Sequence, residues 1–147
     1  MRIITEETIA RLLSRALASP RKRTNLNLHA EMSDPTNRFL NAGIAGKWEL
    51  LSVVQGTVDV MTFNADGAVK NRVSLSGVGA NVVVEIPGGD WHSIVFRAPG
   101  AVVLEIKPGP YEPLLDKEFA NWAPSEDDPA APSFVARLEV AAVGARV

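Results

Sequence analysis

Thr57 to Phe63 (TVDVMTF), the turn Asn64-Ala65-Asp66-Gly67 and Val69 to Leu75 (VKNRVSL) read together as two strands joined by a hairpin. β-Branched and aromatic side chains suit a pleated, half-buried surface, and the Asp-Gly step supplies the reversal. Upstream, Trp48 to Gln55 is rich in leucine and valine and stops at Gly56. Downstream, a loop carries Gly77 and Gly79, and Val82 to Ile86 then leads into Pro87-Gly88-Gly89-Asp90. Trp91 to Phe96 follows as far as Pro99-Gly100, and Ala101 to Ile106 ends at Pro108-Gly109. Short strands at this spacing, without helical spacers, predict an antiparallel sandwich or barrel and exclude a βαβ fold.

The flanks change period. In Glu6 to Ala18, Ile9, Leu12, Leu13 and Ala16 recur at helical spacing, with Arg11, Ser14 and Arg15 on the other side. Thr5 or Thr8 caps the start and Ser19-Pro20 ends the helix, whose apolar stripe packs on something larger. After Arg21-Lys22-Arg23, Asn25 to His29 alternates, with Leu26 and Leu28 on one face and Asn25, Asn27 and His29 on the other. Asp34-Pro35 opens a short turn through Arg38 and Asn41. Asp116 to Trp122 is read as a helical turn, Ala123 to Pro129 as an acidic, proline-rich linker, and Phe134 to Val147 as an apolar tail. Such a tail docks on its own barrel or pairs with a neighbouring chain. Three segments are therefore expected: 1–23, helix and basic linker; 24–123, barrel and its cover; 124–147, linker and tail.

A chain of 147 residues, 46% hydrophobic and 22% charged, is large enough for one core without disulfides. A net charge of -2 argues against nucleic acid as the main partner, since phosphate binding draws on excess lysine and arginine. The absence of cysteine excludes thiolate zinc sites and cysteine nucleophiles. No segment reads as a signal peptide or as the roughly 20 apolar residues of a membrane span, so a cytoplasmic protein is expected.

With two histidines in the chain, few residues are left to carry chemistry. No serine sits in a nucleophile-elbow pattern, and Gly77-Val78-Gly79 lacks the helix that a phosphate loop requires. Glu49 lies on a strand seven positions before Gly56, and His92 begins the strand after the Pro87–Asp90 turn. Strand alternation turns Trp48 and Trp91 to the faces opposite these two residues.

These two segments resemble the cupin motifs. Glu49 to Gly56 has the spacing of the glutamate and glycine in the first, and Pro87, Gly89 and His92 match the second. The flanks are similar to the WbuC-type cupin-fold metalloproteins. Their residues are matched by Ser19 to Arg23, Asn25 to His29, Asp34-Pro35, Arg38 to Asn41, Lys47 to Leu50, Gly109 to Tyr111, Asp116 to Ala120 and Trp122 to Pro124. The resemblance implies a cupin-type antiparallel β-barrel (a double-stranded β-helix) with an N-terminal helix. It also implies a metal held by a histidine pair, a glutamate and a later histidine. The glutamate is Glu49 and the later histidine His92. Where the histidine pair belongs, this chain has Ala42, Gly43, Ile44 and Ala45.

Glu49 and His92 alone fall short of the three protein ligands usual for catalytic zinc. His29, on the polar face of its strand, would complete a two-histidine, one-carboxylate site for zinc, iron, manganese or nickel. Glu49 doubles as the expected catalytic base. Asn25, Asn27 and Arg38 are expected to orient a small polar ligand, and Arg21 and Arg23 to bind its phosphates. The resemblance suggests a carbohydrate or sugar nucleotide of surface-polysaccharide synthesis. The alternative is a metal-free binding or scaffold protein that kept the barrel. A homodimer is expected, because cupin barrels often pair and the apolar tail needs cover.

Overall fold

The computed structural model describes residues 5–19, 48–97, 99–108, 120–125 and 128–147. The chain divides into two compact units, Met1–Arg38 and Phe39–Val147. In the first, helix α1 spans Glu6–Ala18. Thr5 caps it: its hydroxyl accepts the Thr8 N–H at 3.3 Å, and Glu6 and Glu7 place negative charge at the positive end of the helix dipole. Ser19, extended at φ -72 and ψ 138, ends it in the conformation favoured before proline.

The second unit holds six strands: β1 Glu49–Gln55, β2 Thr57–Phe63, β3 Val69–Ser76, β4 Val83–Ile86, β5 Trp91–Phe96 and β6 Val102–Ile106. They form two antiparallel sheets, ordered β4-β1-β6 and β3-β2-β5. Here the expectation of a closed barrel is corrected among the described residues. The central strands β1 and β2 are each paired on both sides within their own sheet, and no ladder joins the sheets. Only β2 and β3 are neighbours in both chain and sheet. Their turn is closed by the Asn64–Ala68 hydrogen bond at 2.9 Å, with Gly67 at φ +83, and a one-residue bulge lies between Val69 and Asn71.

The core follows from alternation. Val58, Val60, Val73, Leu75 and Ile94 point from one sheet towards Leu51, Val53, Val84, Ile86 and Val103 of the other. Each such side chain, fully buried, contributes about 1.5–3 kcal/mol. β2 is buried on both faces, because its odd residues Asp59, Met61 and Phe63 meet a third layer.

That layer is helix α2, Ala131–Val140, with Pro132 in its first turn. Phe134 and Leu138 pack on Met61, Phe63, Val69 and Val95, and Trp122 stacks obliquely on Phe63 at 5.2 Å between ring centroids. After α2, Gly144 N–H donates to Val69 O (2.8 Å) and Val69 N–H to Ala145 O (2.9 Å), so the last residues add to the β3 edge. The apolar tail thus docks on its own chain. Ala120 to Ala123 make a single turn, Ala123 N–H to Ala120 O at 3.0 Å, and not a helix. Asp116 to Phe119 lie outside the described residues.

Candidate functional site

Glu49 begins β1 on the face shared with Leu51 and Val53, hence towards the other sheet. His92 is the second residue of β5, opposite Thr62 on β2 and on the face of Ile94. The turn before it is set by Gly89 at φ +87, a backbone region in which glycine avoids steric cost, and by Asp90 N–H donating to Pro87 O at 3.3 Å. The two side chains meet from opposite sheets: His92 Nε2 lies 3.2 Å from Glu49 Oε2. Both are buried, at 6% exposure each.

The other ring nitrogen settles the protonation. His92 Nδ1 lies 3.1 Å from the carbonyl oxygen of Asp90, which only accepts, so Nδ1 carries a hydrogen. Nε2 then faces a carboxylate oxygen, and two lone pairs at that distance repel unless a cation stands between them. A proton on Nε2 satisfies this, as does a metal ion. Burial pushes the imidazole pKa down. The Glu49 carboxylate 3.2 Å away, the Asp90 carbonyl and the Glu105 charge together outweigh burial, and His92 is held above its ordinary value.

A second cation adjoins the same carboxylate. Lys107 Nζ is 3.8 Å from Glu49 Oε1 and 2.9 Å from Glu105 Oε1. Glu105 stands opposite Leu51 across β1 and β6. Period-2 alternation in the sequence puts Glu105 and Lys107 on one strand face, but only the β1–β6 register brings that face to Glu49.

The donor set fits part of a metal site. Metal–donor distances of about 2.0–2.2 Å make two donors 3.2 Å apart subtend roughly 100° at an ion, a normal cis angle. The Asp90 carbonyl on Nδ1 is the outer-shell partner that metal-bound histidines ordinarily have. Among the described residues no group of three or more histidine, aspartate or glutamate side chains is placed to hold an ion. His29, Asn25, Asn27, Arg38, Arg21 and Arg23 lie outside the described residues. Trp91 packs with the α2 cluster, on the face away from His92, and Trp48 is exposed.

Sequence reading missed a second polar cluster, on the α2 side of β2. Arg72 Nε and Nη2 donate to buried Asp59 Oδ2 at 2.9 and 2.7 Å, and Arg97 Nε joins them at 2.7 Å. The Ser74 hydroxyl donates to Asp59 Oδ1 at 2.5 Å. The remaining guanidinium hydrogens cap α2: Arg72 donates to Leu138 O (3.2 Å), Glu139 O (2.9 Å) and Ala141 O, and Arg97 donates to Glu139 O (3.0 Å). These carbonyls end a helix and need donors, and the clamp supplies them. It is structural: every Arg72 guanidinium hydrogen, and most of Arg97's, bonds the chain itself.

A family model for a domain of unknown function (DUF6016) matches residues 4–46. That stretch contains α1 and the segments with Arg21, Arg23, Asn25, Asn27, His29 and Arg38, and stops short of Glu49 and His92. No curated protein matches the chain.

Proposed function

We propose that this protein is a cupin-type β-sandwich whose Glu49–His92 pair binds a divalent metal ion, and that it binds or acts on a small polar molecule there. The observation that carries this reading is the convergence of a buried carboxylate and a tautomer-fixed imidazole from two different sheets. The strand order supports the architecture. β2 pairs β3 and β1 pairs β4, as in one long hairpin folded over; β5 then returns beside β2 and β6 beside β1. This is the Greek-key winding of jelly rolls, the class to which cupins belong.

Glu49 and His92 would hold the ion. A bound divalent ion polarises a ligand carbonyl or hydroxyl. The chain's own residues do the rest. The Asp90 carbonyl keeps the Nε2 lone pair turned inward, Lys107 holds the second carboxylate oxygen, and burial of both donors keeps water from competing. Where Glu49 does not ligate the ion, it is the base for a ligand hydroxyl proton, and the carbohydrate class follows from the resemblance alone.

A metal-free binding protein is the second reading. One observation favours it: the Lys107 ammonium already stands 3.8 Å from the carboxylate that an ion would use. Elemental analysis of purified protein beside His92→Gln and Glu49→Gln, each shown to be folded by thermal melting, separates the two. Near-stoichiometric metal that disappears in both variants is expected. Absence of metal from wild type, with no uptake when zinc or manganese is titrated into chelator-treated protein, overturns the metal reading.

A further inference from the structure

The inner face of the β3-β2-β5 sheet is a ladder of three levels. Val58 stands between Leu75 and Phe96, Val60 between Val73 and Ile94, and Thr62 between Asn71 and His92. The first two levels are wholly apolar and the third wholly polar. The change takes one step of the strand repeat, at the end where Glu49 meets His92. Exposure rises along the polar level: His92 is buried, Thr62 half-buried and Asn71 exposed, on a strand at the edge of the described sheet.

We propose that Thr62 and Asn71 form the ligand-orienting floor of this site, and that they select a neutral polyhydroxylated ligand such as a sugar ring. The inference rests on the reading of Glu49 and His92 as the binding centre. Asn71 Nδ2 donates to Thr62 Oγ1 at 2.9 Å. Among the described residues, the Thr62 hydroxyl hydrogen, the Asn71 carbonyl oxygen and its second amide hydrogen have no other partner. An adjacent donor and acceptor suit vicinal hydroxyls, each of which gives and takes a hydrogen bond. Both residues are uncharged, so what Thr62 and Asn71 themselves offer a ligand is hydrogen bonding to hydroxyls and no counter-charge for a phosphate or carboxylate. Three strands at the usual spacing span about 10 Å, enough for one sugar ring to lie from Asn71 to the imidazole.

Saturation-transfer NMR with methyl α-D-glucopyranoside, galactose, myo-inositol and UDP-glucose tests this on the full chain. Thr62→Val keeps the shape of the side chain, and Asn71→Ala is at an exposed position. Each is expected to weaken binding about tenfold, as for a lost ligand hydrogen bond, and the double variant to abolish ring-proton transfer. Melting temperature and zinc affinity should stay at wild-type values, which a merely sheet-stabilising role of the pair would not allow. Unchanged binding in the double variant, with loss in Glu49→Gln, overturns the floor and leaves the binding centre standing. Loss in the double variant with unchanged binding in Glu49→Gln overturns the reading beneath it. A wild type that binds none of the four overturns the inference.

Discussion

His92 links the candidate site to stability through its proton. Because the folded imidazole holds a proton more tightly than an unfolded one, protonation contributes stability in full below the unfolded histidine pKa, about 6.5. The contribution fades as pH rises through the higher folded value. In chelator-treated protein, the stability difference between wild type and His92→Gln should therefore be greatest in mildly acidic buffer and shrink towards alkaline pH, read from denaturant melts. A difference that grows with pH would contradict the imidazolium–Glu49 pair. Gly56 makes a second residue-scale case. It turns the chain from one sheet to the other at φ +78, and an added Cβ would lie 2.9 Å from the Ala101 backbone. Gly56→Ala should cost about 1–3 kcal/mol by thermal melting, since strain and clash act together.

Among the elements, α2 depends on a charge clamp as much as on apolar contact. Asp59 is buried and pairs with two arginines whose other hydrogens hold the end of the helix. Asp59→Asn leaves those guanidinium groups without their counter-charge and should cost about 2–4 kcal/mol. Amide exchange should accelerate in α2 before it does in β1; uniform acceleration would show that the clamp does not act on the helix. The strands themselves were legible in the sequence, because Val82 to Ile86 and Trp91 to Phe96 sit between glycine and proline turns. The clamp was not. Local pattern gives Asp59, Arg72 and Arg97 no partner, because the helix whose end they hold comes from the far end of the chain.

For the whole molecule, the tail is a structural layer. Ending the chain after Ala130 would expose Met61, Phe63, Val69 and Val95, and would remove Phe134 and Leu138, each worth about 2–3 kcal/mol of burial. That sum rivals the net stability of a typical domain, about 5–15 kcal/mol. The truncated protein should aggregate or melt far below wild type in light-scattering and calorimetric measurements. Phe134 and Leu138 are covered by their own chain, while Val135, Val140 and Val143 stay exposed. Turns, alternation and the Thr5 cap act within about ten residues, so the sequence by itself determined six strands, helix α1 and the presence of Glu49 and His92 on strands. Tertiary structure alone decided that β1 joins β4 and β6, that the two side chains meet, and that Lys107, Thr62 and Asn71 stand beside them. A period of two says only that residues share a face. Which faces meet is chosen by burying both sheets at once, a choice among pairings far apart in the chain that local pattern leaves equivalent.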